Sequence, residues 1–115
     1  MQTIKVLFHV SDQEVWPKAV TNIENYLNDV DKETIEIEVV ANAAAVVTYF
    51  NADKKELLDR MASLSAAGVK FTACRNALKA NKLAEADLPS FVQPIPAGIT
   101  EIVIRQTEGF VYIKP

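Results

Sequence analysis

Glycine, cysteine and histidine are scarce in this chain, and their scarcity excludes several classes of site. Of 115 residues, three are glycine, one is cysteine and one is histidine. Neither G-x-G-x-x-G nor G-x-x-x-x-G-K-[ST] occurs, which excludes nucleotide sites of the usual kind. The C-x-x-C and G-x-S-x-G patterns are also missing, and no residues stand at zinc-ligand spacing. We therefore expect no dithiol chemistry within the chain, no metal and no cofactor.

Clusters of basic residues and long apolar runs are absent as well. The net charge is −3 and the twelve lysines and arginines are scattered, so we expect no nucleic-acid partner. No apolar window approaches membrane-spanning length, and the first residues lack the pattern of a signal peptide, so we expect no membrane association. A single cysteine cannot form an internal disulfide, which agrees with a reducing, cytoplasmic location.

The residues that are present describe an ordinary globular chain. Half of them are apolar and 23% are charged, and the length suits one domain, residues 1–115, with a single core. Strand-like and helix-like segments alternate along it. Apolar, β-branched runs predict strands at 3–10, 34–41, 69–73, 90–95 and 110–115. Apolar residues at helical spacing predict helices near 14–30, 42–50, 53–67, 75–80 and 97–109.

This alternation predicts the class of fold. Strand and helix in strict turn are typical of a three-layer α/β/α domain, in which helices cover both faces of a mostly parallel sheet. Local signals refine the element ends. Asn42 is a candidate cap for the second helix, and Asp53 and Glu56 have capping-box spacing at the start of the third. Asn81 can end the fourth helix in a left-handed conformation, and Pro94 should lie in an edge strand.

In such a fold, a ligand site forms outside the carboxyl ends of the strands. The segments that follow the predicted strands bring polar or reactive residues to that edge. The candidate binding residues there are His9, Asn42, Arg75, Asn76 and Gly98, and the candidate catalytic residue is Cys74.

Cys74 admits two interpretations. It precedes a helix, where free amide hydrogens and the helix dipole favour a negative group, and Arg75 adds positive charge beside it, so the thiolate form is favoured. The alternative is that Cys74 packs like an alanine, because free cysteine is among the most buried residue types.

The other candidates also have structural alternatives. His9 is a possible base or ligand, or a hydrogen-bonded structural residue. Asn42 orients a ligand or caps a helix. Trp16 is a possible ligand platform, although its place on a helical stripe favours the core or an interface.

Four segments together resemble one family. They are "IKVLFHVSD", "IEVVANAAAV", "GVKFTACRNAL" and "PAGITEIVIRQTEGFVYIKP", and they are similar to those of the DsrE/DsrF-like family of small intracellular sulfur-relay proteins. The resemblance implies a flavodoxin-like parallel sheet of about five strands and an oligomer, often a trimer or hexamer. It also implies a persulfide on the cysteine that follows the third strand, here Cys74, with a donor and an acceptor protein as partners. One departure is Ala43, where the family leads us to expect glycine; alanine is a mild change unless the position needs positive φ.

The sequence therefore predicts a sulfur-relay protein, that is, a persulfide carrier or sulfurtransferase-like protein. Two alternatives stay open. One is a noncatalytic module that binds a small anion or metabolite at the strand ends. The other is an oligomeric docking subunit that uses a surface such as Trp16 and the C-terminal tail.

Overall fold

Five apolar strands form one sheet in which every neighbouring pair is parallel. A computed structural model describes residues 3–31 and 34–115 of the chain. The strands are β1 (Ile4–Val10), β2 (Ile35–Ala41), β3 (Lys70–Cys74), β4 (Val92–Ile95) and β5 (Val111–Ile113). They lie in the order β4-β3-β2-β1-β5.

Four α-helices and several short 3₁₀ segments connect the strands. The helices are α1 (Trp16–Asp29), α2 (Lys55–Ala66), α3 (Arg75–Ala80) and α4 (Gly98–Thr107). The 3₁₀ segments include Gln13–Val15, Ala43–Phe50, Ala52–Lys54 and Glu85–Asp87. In the part of the chain described, no helix is long and apolar enough to cross a membrane.

The predicted three-layer α/β/α class with a five-stranded parallel sheet is confirmed. The strand order, however, differs from the 2-1-3-4-5 order of flavodoxin itself. Here β1 lies between β2 and β5, so the first four strands run outward in chain order and the fifth returns to the other side of β1.

The two faces of the sheet are covered unequally. Helices α1 and α2 pack on one face over the larger core, which contains the fully buried Trp16. The Trp16 indole packs against Tyr49 and Phe71, and its Nε1 donates a hydrogen bond to the Ala45 carbonyl at 2.9 Å. Trp16 is therefore a core residue and offers no surface to a ligand or partner.

Helix α4 covers the opposite face over a smaller core. Its Ile102 packs with four buried residues of the sheet and its flanks, namely Leu7, Val40, Ile95 and Phe110. Successive side chains of β2 point to opposite faces of the sheet. Val39 therefore packs in the larger core and Val40 in the smaller one, which is why the end of β2 is apolar on both faces.

Several predicted helix ends need correction. The capping box at Asp53 and Glu56 is wrong, because Asn51 instead accepts the Asp53 amide hydrogen at 3.0 Å, and Ala52–Lys54 forms a separate 3₁₀ turn. The left-handed residue after α3 is Lys82, with φ of 57°, and not Asn81, whose φ is −94°.

Other predicted ends agree with the structure. Gly68 and Gly109 follow α2 and α4 with φ of 109° and 95°, a conformation that glycine adopts without strain. Pro94 lies in β4, an edge strand, where its missing amide hydrogen is tolerated.

A buried carboxyl group helps to hold α4 on the sheet. Glu38 of β2 faces α4 with its side chain only 3% exposed, and its Oε1 lies 3.2 Å from Arg105 Nε and 3.9 Å from Lys70 Nζ. Burial, together with the neighbouring Glu101, nevertheless raises the pKa of Glu38 to about 8. The desolvation of the carboxylate outweighs the two cations.

A proton on Glu38 explains an otherwise unpaired atom. Oε2 of Glu38 is buried without a hydrogen-bond partner. The carboxyl group that interacts with Glu38 is that of Glu101, and two ionised carboxylates have no donor between them. Protonated Glu38 supplies the missing donor, and the hydrogen bond it makes lowers the pKa of Glu101. Glu101, Arg105 and Glu108 form ion pairs along α4, so this shared proton links the sheet to a charged row on the helix.

We predict that Glu38→Gln removes a loss of stability that the wild type suffers as the pH rises from 4.5 to about 8. The unfolded chain releases the Glu38 proton near pH 4.5, whereas the folded protein keeps it until about pH 8. Each unit of difference corresponds to roughly 1.4 kcal/mol. The free energy of unfolding of the wild type should therefore match that of the variant near pH 4.5 and fall below it by a few kcal/mol by pH 8.

Urea unfolding of both proteins from pH 4.5 to 9 measures this difference. Glutamine has the size and the hydrogen-bond donor of the protonated carboxyl but cannot ionise. A difference between the two stability curves therefore reports the ionisation of Glu38 and not a change in packing. Two stability curves that stay parallel over the whole range would contradict the shared proton.

Candidate functional site

A small cavity, open to solvent, lies at the carboxyl ends of β2, β3 and β4 and has Cys74 in its wall. The cavity has a volume of about 310 Å³. Its lining comes from the segments that follow these three strands, and consists of Asn42, Ala43, Cys74, Asn76, Ala77, Ala97, Gly98 and Ile99.

Cys74 is both a core residue and a wall of this cavity. It is the last residue of β3 and the N-cap of α3, with 5% of its surface exposed, and it packs within the larger core. The structure thus reconciles part of each sequence interpretation: the side chain is buried like a small hydrophobe, yet it borders a cavity that a small group can enter.

Helix α4 begins at the cavity. Ala97 is its N-cap, and the first backbone hydrogen bond of the helix runs from Glu101 N to the Ala97 carbonyl at 3.0 Å. The amide hydrogens of the three preceding residues consequently lack acceptors within the helix. Such a helix start favours negative charge, so this wall of the cavity favours an anionic group.

Gly98 allows α4 to approach the strand ends closely. A Cβ atom at this position would lie 3.0 Å from Asn42 Cβ and 3.5 Å from Cys74 Cβ. The first distance is shorter than ordinary van der Waals contact, so a larger residue would push α4 away or narrow the cavity.

Ala43 occupies a strained position in the same wall. Its φ is 49°, the left-handed region that L-residues with a Cβ adopt at a cost of about 1 kcal/mol. The position therefore does need the positive φ for which glycine is suited, and the substitution by alanine leaves strain next to Asn42.

Asn42 joins the cavity to His9. Its side chain makes no capping hydrogen bond, which corrects the prediction that it caps the following helix. Instead, Oδ1 of Asn42 lies 3.0 Å from Nε2 of His9, and Nδ1 of His9 lies 2.6 Å from the Tyr112 hydroxyl. Ser11 Oγ is 3.3 Å from the same Nε2. His9 is buried and does not line the cavity itself; Asn42 lies between His9 and the cavity.

The candidate residues therefore divide into three groups. Cys74, Asn42, Asn76 and Gly98 line the cavity together. His9 contacts it only through Asn42. Arg75 is directed elsewhere, because its guanidinium forms a double contact with Glu85, at 2.9 Å from Nη2 and 3.2 Å from Nε to Oε1.

Tyr112 is the participant that the sequence did not reveal. Its tail segment was recognisable, but only the pairing of β5 with β1 brings Tyr112 beside His9. Within residues 3–31 and 34–115, no three histidine, cysteine or acidic side chains come together as metal ligands do.

Comparisons with known proteins decide the family. A model of the DsrE/DsrF-like family matches residues 17–115. The chain belongs to this family. No curated protein matches the chain.

Two solved structures resemble the fold of this DsrE/DsrF-like protein. One is MTH1491 from Methanobacterium thermoautotrophicum, a protein of unknown function. It is 33% identical, with a TM-score of 0.84, and the match covers 97% of this chain and 99% of that one. The other is the ychN protein from E. coli, 12% identical with a TM-score of 0.63 and full coverage of both chains. The second likeness shows the fold alone.

We predict that Gly98→Ala slows the alkylation of Cys74. The new methyl group would occupy the narrow gap between Asn42 and Cys74, so iodoacetamide should react at least severalfold more slowly at matched pH, as followed by mass spectrometry. Overpacking of this kind typically costs about 1–3 kcal/mol.

Gly109→Ala is the matched control. Its Cβ would meet no atom within 4 Å, but φ of 95° makes the substitution strained, so it costs stability away from the cavity. Equal slowing in both variants would show that the gap at Gly98 does not control access to the thiol, and faster alkylation in both would show that loosening of the fold controls it.

Proposed function

We propose that this protein is a persulfide carrier of the sulfurtransferase type, with Cys74 as the residue that holds the sulfur. The observation that carries the proposal is that the chain's one cysteine borders a cavity shared with amide side chains and the start of α4. Membership of the DsrE/DsrF-like family supports a role related to sulfur relay.

The loading step is ordinary thiol exchange. The Cys74 thiolate attacks the outer sulfur of a donor persulfide, a new S–S bond forms on Sγ, and the donor leaves as a thiolate. Release repeats this step with an acceptor thiolate as the nucleophile. Neither step changes the net oxidation state of sulfur in the system, so no separate oxidant or reductant is required.

The burial of Cys74 is compatible with this role. An S–S bond is about 2.05 Å long, so the added sulfur lies beyond Sγ, and the cavity that Cys74 borders is the space available to it although the residue is only 5% exposed. A persulfide is charged mainly on its outer sulfur, and the groups available to receive that charge are the side chains of Asn42 and Asn76 and the first amides of α4.

The chain's own composition determines what partners the carrier needs. With one cysteine, it has no second thiol to discharge the persulfide as an internal disulfide. The sulfur must therefore pass to a thiol on another molecule, and we propose a donor and an acceptor protein as partners. A free thiol with this role fits a reducing compartment, so we also propose a cytoplasmic location.

We predict that Cys74→Ser abolishes sulfur uptake. Intact mass spectrometry before and after incubation with inorganic polysulfide should show the gain of one or more sulfur atoms in the wild type, reversed by a reductant, and no gain in the variant. Thermal unfolding should show that the variant remains folded. Sulfur gain that persists in Cys74→Ser, or a wild type that gains none, would contradict the carrier.

The same cavity supports an alternative function, the binding of a small anion or metabolite without sulfur chemistry. The start of α4 and the two asparagine side chains would serve such a ligand equally well. A panel of small anions tested by thermal shift separates the two functions, because stabilisation that is retained in Cys74→Ser, together with no sulfur gain in the wild type, favours the binding module.

We also propose that the protein is a homo-oligomer, a trimer or hexamer. Helix α4 exposes an apolar stripe of Ile99, Val103 and Ile104, which are 62%, 56% and 45% exposed. Separately, β5 and α1 border an apolar groove of about 440 Å³ whose floor includes Phe8, Val111 and Ile113. A convex helix and a concave groove on one chain fit a head-to-tail contact, the type that closes into rings.

We predict that Val103→Glu lowers the oligomeric state. A charge placed in the centre of the α4 stripe would be buried unpaired in the contact, so sedimentation velocity should show smaller species than the wild type at equal concentration. Ser63→Glu, on the exposed side of α2, is the control and should sediment like the wild type. A wild type that sediments as a monomer at micromolar concentration would contradict the oligomer.

A further inference from the structure

Three polar side chains form a chain from the C-terminal strand to the cavity. Tyr112 of β5 pairs with Leu7 of β1, so its side chain stands on the same face of the sheet as that of His9, two residues along. The Tyr112 hydroxyl is 2.6 Å from Nδ1 of His9, and Nε2 of His9 is 3.0 Å from Oδ1 of Asn42. Asn42 is the only one of the three that borders the cavity.

The acceptor at the end of this chain fixes the tautomer of His9. An amide oxygen only accepts, so the hydrogen between His9 and Asn42 must belong to Nε2. In a neutral imidazole, Nδ1 is then an acceptor, and the Tyr112 hydroxyl donates to it. Ser11 Oγ, at 3.3 Å, offers a second acceptor to the same Nε2 hydrogen.

The same hydrogen bond holds the amide of Asn42 in one orientation. With Oδ1 held by His9, Nδ2 lies in the same amide plane on the other side of the Cβ–Cγ bond, near Gly98 of α4. The Cβ that would be added at Gly98 lies 3.5 Å from Asn42 Nδ2 and 3.5 Å from Cys74 Cβ, so Nδ2 and Cys74 flank the same small space. Within the described residues, the side chain of Asn42 makes its hydrogen bond through Oδ1 and none through Nδ2. Its two N–H groups are left for an occupant of the cavity.

We infer that Tyr112 and His9 are positioning residues that orient the Asn42 amide so that it donates a hydrogen bond to the sulfur carried on Cys74. This inference rests on the proposed persulfide function and adds to it a specific donor and the residues that aim it. Removal of the Tyr112 hydroxyl frees Nδ1 of His9, so the imidazole can exchange tautomers and the amide can turn its oxygen toward the anionic sulfur. The Asn42 oxygen in that orientation would repel the negative charge of the outer sulfur, whereas the N–H groups of Nδ2 attract it.

The first test measures the tautomer of His9 without any sulfur chemistry. Long-range ¹H–¹⁵N NMR of the one histidine in the chain should show hydrogen on Nε2 and a bare Nδ1 in the wild type at pH 8. In Tyr112→Phe, the fraction with hydrogen on Nδ1 should rise. A wild-type histidine with its hydrogen on Nδ1 would mean that Asn42 presents its nitrogen to His9, and would overturn the inference.

The second test measures the rate at which inorganic polysulfide loads Cys74. Tyr112→Phe should reach the same final loading as the wild type but about threefold to tenfold more slowly, the equivalent of roughly one neutral hydrogen bond. The matched control is Tyr49→Phe, which also deletes a tyrosine hydroxyl, here bound to the Thr72 carbonyl at 3.0 Å in the core. It should load within about twofold of the wild-type rate, although it loses a comparable hydrogen bond.

The outcomes separate this inference from the proposed function. If Tyr112→Phe loads at the wild-type rate, or if Tyr49→Phe slows as much, the two residues do not position Asn42 for sulfur. If the wild type takes up no sulfur, the carrier function fails, and the tautomer measurement still decides whether Tyr112 and His9 orient the amide.

Discussion

All five strands of this protein run in one direction, and the arrangement of the candidate site depends on that constraint. A parallel sheet brings every strand end to one edge, so residues far apart in the sequence become neighbours there. The only cysteine ends β3, the only histidine lies near the end of β1, and Asn42 follows β2. The single cysteine and the single histidine of this chain therefore both lie where a parallel fold forms its sites.

Helix α4 is the second determinant, because among the described helices it is the one that contributes to the smaller core. Its first residues form a wall of the cavity, its middle packs through Ile102, and its charged row meets the buried Glu38. Its outer stripe is exposed. The geometry at Cys74 therefore depends on how α4 sits on the sheet, through the close approach at Gly98 and the proton shared between Glu38 and Glu101. A contact between α4 and another copy of the chain would therefore also affect the geometry at Cys74.

Much of the fold could be predicted from the sequence, because the strands are continuous apolar runs and the helices carry apolar stripes. Cys74, Asn42, Asn76 and Gly98 could be placed together for a related reason, since strand ends in a parallel sheet share an edge. Three features could not be predicted. The position of β5 beside β1 is set by long-range packing, so Tyr112 could not be assigned to His9. Arg75 had a charged partner ten residues away, Glu85, that its local sequence did not indicate. Asn42 could serve as a cap or as a ligand-facing residue, and only the neighbouring histidine shows that its side chain is used away from the helix.

The central claim is that Cys74 carries sulfur into the cavity beside Asn42 and α4. A crystal structure of the protein after treatment with polysulfide tests it most directly. We expect additional electron density bonded to Cys74 Sγ, with the outer sulfur inside the cavity, within hydrogen-bonding distance of Asn42 Nδ2 and near the backbone of Gly98. A bare Cys74 thiol in crystals exposed to polysulfide, or a modified Cys74 turned away from the cavity, would contradict it.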